Sequence, residues 1–323
     1  MRDARTVSGA ESREKAVAAA AFALLALMPV IAATVGQPFI VLEATQIMIM
    51  GLAALSLDLI LGHGGLVSFG HAAFLGIGAY VAALFDVRFG GGDVLVVGAV
   101  AIGLAAIAAL LIGMVALRVS GVGFIMITLA FAQMIHYAFV GWQEMGGDDG
   151  QPLAGRATLL GFDLVQDTRF FYLVLLLLGG SFLLARRVAR ARFGMVLRGA
   201  RQNPGRLAAV GIDPFGVRLA AFVIAGAIAG LAGALHAEFQ YFASPADASW
   251  IQSGELVAMV VLGGIGTLIG PVLGAAAYLL LALVSGAFTT HWPALFGPLL
   301  ILVVLFGRAG MLGLFGQSAG RWH

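Results

Sequence analysis

The sequence predicts an all-α, polytopic membrane protein with about ten transmembrane segments, some of them short, broken helices. Of its 323 residues, 61% are hydrophobic and 11% are charged, and the mean hydropathy is +1.02, as expected for a surface that faces lipid. Apolar runs of about 20 residues, the length that crosses a hydrocarbon core, recur along the chain. The 46 glycines suit helices that approach one another closely in a bilayer.

Seven apolar runs have the length and composition of single membrane-spanning helices. They lie at 16–35, 39–61, 66–85, 94–117, 122–141, 170–185 and 219–237. The first run has the basic leader and small-residue tail of a cleaved signal peptide, but its apolar part is longer than a usual signal core. We therefore interpret it as a membrane span.

The region from Ile251 to Ser285 is too long for one simple span. As a single helix it would extend about 50 Å, whereas the hydrocarbon core is about 30 Å thick. It is interrupted midway by Gly263, Gly264, Gly266, Gly270 and Pro271. We predict two short helices around a break, followed by a final span near 293–306.

The basic residues predict the orientation, because short cytoplasmic loops are enriched in Lys and Arg. Four basic residues precede the first span: Arg2, Arg5, Arg13 and Lys15. Segment 186–218 holds eight arginines and one acid, Asp213, whereas loop 142–169 is rich in acids. We expect residues 1–15, segment 186–218 and the tail 308–323, with Arg308 and Arg321, on the cytoplasmic side, and loop 142–169 outside.

The sequence lacks the residues of a nucleotide-binding loop. Such a loop ends in Lys followed by Ser or Thr, and Lys15 is the only lysine. Gly264 to Gly270 superficially resembles a glycine-rich loop, but it lies in an apolar run with no strand before it. A helix break that is buried or lines a cavity explains it better. With no cysteine, thiolate metal sites are also excluded, and we predict no metal site.

The basic segment contains signals for a short helical hairpin. Asn203 and Pro204 form a typical helix start, and Gly211 suits a left-handed helix end. Another short helix is predicted from Gly194 to Gln202. The hairpin could lie on anionic lipid headgroups. Its small apolar face instead favours the groove of a partner protein: Leu207, Ala208, Ala209 and Val210.

Four stretches carry a resemblance to a known family. They are Leu57 to Phe74 with Gly76 to Tyr80, then Thr128 to Gln133, then Arg192 through Ile212, and finally Glu255 through Gly274. In this order and spacing, the chain resembles the M-type permease subunit of the branched-chain amino-acid ABC importers. The Ser68 to Phe74 run and the Leu262 to Thr267 segment are the most specific parts. The Gly146 to Gly150 loop is similar to the family's external Gly-Gly-x-Asp-Gly.

The resemblance implies a function and a set of partners. It implies a permease domain at 16–307 in the bacterial inner membrane, whose segment 186–218 couples to an ATPase. The coupling residues would be Arg198, Arg201, Asn203, Ala208, Ala209, Gly211 and Ile212. The implied partners are a paralogous H-type permease, two ATPase subunits carrying ATP and Mg, a periplasmic binding protein and membrane lipid. We expect no nucleic acid, no cofactor and no enzymatic activity on this chain.

Polar groups within the spans are candidates for the substrate path, because an ionisable group in hydrocarbon is costly and usually faces a cavity. The path candidates are Ser68, His71, Thr128, Gln133, Glu255, Gly264 and Gly266. Each has a structural alternative. His71 could pack helix against helix, and Glu255 could be a favourable charge at a helix N-terminus. Asp58 and Glu238, near span ends, are expected at headgroup level.

Other functions stay open at this point. Permeases that resemble this chain also import urea, short amides or other small organic acids. A carrier driven by a proton or sodium gradient would use Glu43, Asp58 and His71 for coupling. A membrane enzyme is disfavoured, because the sequence shows no paired carboxylates, metal-ligand spacing or nucleophile-base set at one depth.

The predicted orientation can be tested with single cysteines, since the chain has none. Asp149→Cys should react with a membrane-impermeant thiol reagent added outside the cell. Gln202→Cys should react only after the membrane is opened. Labelling of Gln202→Cys from outside would show that the orientation is wrong.

Overall fold

The computed structural model describes residues 3–159, 161–288 and 297–298, and helices make up most of this part of the chain. Its α-helices are α1 (Asp3–Val35), α2 (Phe39–Asp58), α3 (Ala72–Phe89), α4 (Val94–Ala116), α5 (Val122–Val140), α6 (Asp167–Arg190), α7 (Arg192–Gln202), α8 (Pro204–Ala209), α9 (Pro214–Gln240), α10 (Trp250–Gly263) and α11 (Gly270–Phe288). The all-α, polytopic fold class is confirmed.

Seven helical segments of the described chain are long and apolar enough to cross a membrane. Each corresponds to one of the seven predicted runs, and α2 continues through a π-helical turn, Leu59–His63, to complete its span. The shorter apolar helices α10 and α11 match the predicted broken region. The described residues do not include Arg2, the tail with Arg308 and Arg321, or the predicted span near 293–306 apart from Gly297 and Pro298. The count of about ten spans therefore stays a prediction.

Polar residues cap the starts of two helices, and α9 thereby begins before its apolar run. Asp213 precedes Pro214 at the start of α9, and its carboxylate accepts hydrogen bonds from the Phe215 and Gly216 amides at 3.0 and 2.9 Å. Asp93 caps α4 by accepting from the Leu95 amide at 2.9 Å. The apolar run marks the part of each helix within the bilayer, and the cap sets where the helix begins.

The predicted span at 66–85 is wrong at its start, because α3 begins only at Ala72. Residues 64–71, which we call the first break, are not helical. Gly65 has a positive φ of 69°, and a Cβ on Gly70 would overlap the Thr128 carbonyl. The apolar composition of this segment therefore reflects burial among other helices and not helix formation.

The predicted break in the last apolar region is confirmed. Residues 264–269, the second break, separate α10 from α11, and Gly264 and Gly266 have φ angles of 114° and 79°. The two helices pack closely on either side of it, since a Cβ on Gly263 would overlap the Gly270 carbonyl. The result is a helical hairpin packed against α2.

Helix α9 packs tightly on α3 and α4 through glycines. A Cβ on Gly78 of α3 would overlap the Gly230 carbonyl, and one on Gly233 would overlap the Leu75 carbonyl. A Cβ on Gly226 would lie 2.6 Å from the Ala109 Cβ on α4. The predicted packing face of Gly226, Gly230 and Gly233 is therefore confirmed, and it lets backbones meet without intervening side chains.

A small β-structure joins two loops at one end of the bundle. Strand β1 (Gln151–Pro152) pairs antiparallel with β2 (Phe242–Ala243), an element that the sequence did not predict. We call the end that carries loop 141–166 the acidic end. The opposite end, which carries α7 and α8, is the basic end.

The glycine contacts between α3 and α9 generate a stability prediction. Gly78→Ala and Gly233→Ala should each lower the free energy of unfolding by about 1–3 kcal/mol or more, because the added methyl group overlaps backbone. Gly103→Ala on α4 is the matched control, since a Cβ there meets nothing within 4 Å. Thermal unfolding in detergent, followed by size-exclusion chromatography, measures the difference. Equal midpoints for Gly103→Ala and Gly233→Ala would contradict the packing.

Candidate functional site

The first break is fixed by side chains from two helices, α2 and α10. His71 Nε2 lies 2.8 Å from Ser56 Oγ on α2, and the Ala72 amide donates to Ser253 Oγ on α10 at 3.0 Å. Ser56, His71 and Ser253 are each fully buried. Because a helix start leaves amides without intrahelical partners, Ser253 supplies an acceptor that α3 lacks locally. His71 thus packs helix against helix.

The second break is held by a carboxylate. Asp58 Oδ1, near the end of α2, accepts a hydrogen bond from the Gly266 amide at 2.7 Å. Within the break, Thr267 Oγ1 donates to the Gly264 carbonyl at 2.6 Å, and the Gly270 amide donates to the Thr267 carbonyl at 3.1 Å. The irregular backbone is therefore satisfied by protein groups, as membrane depth requires.

The expectation that Asp58 and Glu238 lie at headgroup level is wrong. Asp58 is fully buried, and Glu238 is only 4% exposed. Glu238 Oε2 accepts from the Ala157 amide at 2.6 Å, in the loop between α5 and α6. Both carboxylates provide acceptors for loop backbone, which explains acids close to span ends without contact with lipid headgroups.

One side of helix α5 is not covered by the residues that the structure describes. The side chains of Val122, Met126, Met134 and Tyr137 recur at near-helical spacing and are 59–67% exposed. Thr128 and Ala132 on the other side are buried, and Gln133 is half-buried between the two surfaces. We call the uncovered side the open face of α5.

Helix α10 meets α5 beside the first break. Phe69 of the break lies 3.9 Å from the Cβ position of Gly254, while Gly70 contacts Thr128. Trp250 and Ile251, in the first turn of α10, are 46% and 58% exposed. The region therefore combines aromatic and aliphatic side chains with the half-buried Gln133 and Glu255.

Glu255 does not act as a helix-terminal charge. Ser249 caps α10 by accepting from the Gln252 amide at 3.3 Å, and Glu255 lies further along, hydrogen-bonded to Tyr278 of α11. The predicted path residues thus divide into two groups. Ser68, His71 and Thr128 are buried supports of the first break, whereas Gln133 and Glu255 are partly accessible. Gly264 and Gly266 form the second break.

The basic segment forms the predicted helical hairpin. Asn203 caps α8 by accepting from the Arg206 amide at 2.9 Å, Pro204 is its first residue, and Gly211 has a φ of 82°. Helix α7 is anchored on the bundle by the buried residues Gly194, Leu197 and Ala200. Helix α8 contains no buried residue and projects from the basic end.

Three arginines of the basic segment, Arg198, Arg201 and Arg218, bond to backbone carbonyls, and several apolar groups beyond them are exposed. Arg198 Nη1 donates to the Ala189 carbonyl at 3.0 Å, Arg218 Nη2 donates to the Ala200 carbonyl at 2.6 Å, and Arg201 donates to the Gly62 carbonyl. The exposed groups include Met195, Ala208, Ala209, Val210 and Ile212. The exposed surface of the hairpin thus combines these small apolar groups with the exposed Arg192 and Arg206, and hydrogen bonds on its other side fix it to the bundle.

Arg156 at the acidic end is a buried hub that sequence reasoning missed. Its side chain is 2% exposed and forms an ion pair with Asp167 at 2.8 Å. It also donates to the carbonyls of Glu238 and Val165 and lies over the rings of Phe170 and Tyr241. A basic residue within an otherwise acidic loop was the available signal. The hub fixes the loop to the ends of α6 and α9.

Comparisons with known proteins agree on one family. Residues 39–307 match the family model described as branched-chain amino acid transport system / permease component. The chain is 28% identical to the high-affinity branched-chain amino acid transport system permease protein LivM of Salmonella typhimurium over 317 residues, 89% of this chain and 74% of that protein. The figures are the same for LivM of Escherichia coli.

A more distant relative covers half of the chain. It is the probable branched-chain amino acid transport permease protein LivH of Methanocaldococcus jannaschii, 29% identical over 170 residues, 51% of each chain. No solved structure matches the sequence.

The Arg156 hub generates a second stability prediction. Arg156→Ala should lower the free energy of unfolding by about 1–3 kcal/mol, since it leaves the buried Glu238 and Leu164 carbonyls without their donor. Arg88→Ala, which removes an exposed pair with Glu144, should change it little. Thermal unfolding of the purified variants measures both. A larger loss in Arg88→Ala than in Arg156→Ala would refute the assignment of the hub.

Proposed function

Because this chain belongs to the family of branched-chain amino acid transport system permease components, we propose that it is the membrane-spanning permease subunit of an ATP-driven importer for branched-chain amino acids. The observation that carries the proposal is the family match over residues 39–307, which includes both breaks and the helical hairpin of the basic end. The relatives named LivM support the substrate class.

Helix α8 is the proposed docking element for an ATPase subunit. Its exposed alanines, with Val210 and Ile212 beyond its end, form a small apolar knob that a protein groove would desolvate. Hydrogen bonds of Arg198 and Arg218 link the hairpin to the bundle. A force that the ATPase exerts on the knob would therefore be transmitted to the bundle. ATP and Mg would be bound by the ATPase, because the only lysine here, Lys15, is not in a phosphate-binding loop.

The open face of α5 is the proposed contact with a second, paralogous permease. Gln133 is polar at membrane depth, a placement that is costly against lipid but suits a polar path or a protein neighbour. Met126, Met134 and Tyr137 offer adaptable apolar surface for a branched aliphatic side chain. The substrate path would then run between the two permeases, with Glu255 and Gln133 near it.

The same proposal assigns the two ends of the bundle to the two sides of the membrane. A periplasmic binding protein would deliver substrate at the acidic end, which faces outward in the bacterial inner membrane. The basic end, with segment 186–218 and residues 1–15, would face the cytoplasm. Urea, short amides and other small organic acids are the competing substrates.

Uptake by a reconstituted complex tests the proposal as a whole. Proteoliposomes with the two permeases, the ATPase and the binding protein should import leucine, isoleucine or valine when ATP is supplied on the ATPase side. Vanadate should stop this import, and a proton or sodium ionophore should not. Import that an ionophore abolishes and vanadate spares would instead establish a gradient-driven carrier.

Docking through α8 is tested by placing a charge on the knob. Ala208→Glu or Ala209→Glu should abolish co-purification of the ATPase and reduce uptake at least about 100-fold, because an unpaired charge would be buried in the partner's groove. Ala191→Glu is the matched control, since this exposed alanine also lies at the basic end but outside α8. It should retain the ATPase and uptake. Normal ATPase recovery in Ala208→Glu would overturn the docking assignment.

A further inference from the structure

We infer that Arg201 and Asp58 are positioning residues that connect the hairpin of the basic end to the second break, so that a displacement of α8 moves residues 264–269. The inference rests on the proposed function, because it describes how a push from an ATPase would reach the membrane part of this chain. Two contacts carry it, and both involve the short stretch from Asp58 to Gly65.

The first contact joins α7 to the end of the π-helical turn. Arg201 donates a hydrogen bond to the Gly62 carbonyl, a group that a helix end leaves without an intrahelical donor. Its aliphatic stem also lies over Gly65, where a Cβ would be 2.6 Å from Arg201 Cγ and 3.0 Å from Cδ. Gly65 therefore admits the arginine stem, and α7 is attached to this turn by both packing and a charged donor.

The second contact joins the same turn to the second break. Asp58 Oδ1 accepts the Gly266 amide proton at 2.7 Å, and a Cβ on Gly62 would be 2.5 Å from the Gly266 nitrogen. Gly62 is therefore held by Arg201 through its carbonyl and packs directly on Gly266. The hydrogen bond from the Arg201 guanidinium has an ionised donor, and such bonds are stronger than neutral ones. A shift of the turn is thus transmitted to Gly266.

The surroundings allow such a shift. A cavity of about 130 Å³ lies beside Gly65 to Val67, bounded by the α4–α5 turn and by Arg218. Ile265, at the tip of the second break, is 49% exposed, and its neighbours Gly264 and Gly266 have positive φ angles. Both breaks can therefore change conformation without disrupting a regular helix, whereas the helices on each side stay packed.

The test measures leucine uptake and ATP hydrolysis on the same proteoliposomes of the full complex. Arg201→Ala should lower the number of leucine molecules imported per ATP by about 10-fold or more, with ATPase association unchanged. Arg201→Lys keeps a charged donor and should recover part of the ratio. Arg118→Ala removes an exposed arginine that follows α4 and lies outside segment 186–218, and it should keep the wild-type ratio.

The Asp58 contact is tested by substitution and by combination. Asp58→Asn keeps an acceptor for the Gly266 amide and should lose less of the ratio than Asp58→Ala. In the double variant Arg201→Ala with Asp58→Ala, the loss should not exceed that of the worse single variant, because both act on one connection. Multiplicative losses would show two independent defects and overturn the inference.

A distance measurement between two spin labels tests the connection in the otherwise wild-type complex, and so does not depend on how well the substituted variants fold. Spin labels at Ile265→Cys and at Gly103→Cys on α4 should change their separation between the nucleotide-free and vanadate-trapped complex, and Arg201→Ala should remove the change. An unchanged separation in the otherwise wild-type complex refutes the connection. Absence of ATP-driven uptake by the wild-type complex refutes the proposed function instead, so the two failures are distinguishable.

Discussion

The architecture depends on the requirement that backbone amide and carbonyl groups freed from helices inside an apolar bundle must find other partners. Each of the two breaks releases such groups, and each is served by a side chain from a helix far away in sequence. Ser253 accepts the first free amide of α3, and Asp58 accepts the amide of Gly266. The buried polar residues are thus placed where the backbone needs them, and the hairpin of α10 and α11 is tied to α2 and α3 by these bonds.

This requirement also explains which structural features could be predicted from the sequence and which could not. Apolar runs, helix caps such as Asn203 and the glycines of the second break act through local chemistry, and their predictions were confirmed. The partners of Asp58 and Ser253 lie 208 and 181 residues away, so no local pattern reveals them. The first break was missed because its residues continue the apolar run of α3, and the partners that replace helical hydrogen bonds there come from α2 and α10. Arg156 was missed because burial of a loop arginine requires partners from α6 and α9.

The arginines of the basic segment serve two physical purposes. Their number agrees with the charge asymmetry that orients membrane proteins. In the folded chain, however, Arg198, Arg201 and Arg218 donate to carbonyls at the ends of neighbouring helices, where a cation also complements the helix dipole. The surface left for contact with other molecules therefore combines the apolar groups of α8 and its end with the exposed Arg192 and Arg206. A count of charges along the sequence does not distinguish these exposed arginines from the three that bond to backbone.

The Arg156 hub has a consequence for synthesis of the protein. The Ala157 amide depends on Glu238, a residue 81 positions later in the chain, and Tyr241 covers the arginine from the same side. At a translation rate of about 5–20 residues per second, the loop would wait roughly 4–16 seconds for these partners after its own synthesis. During that interval the unpaired Arg156 guanidinium and the loop carbonyls that lack a hydrogen-bond donor would have to remain hydrated. The loop at the acidic end must therefore mature late, after α9 has entered the membrane.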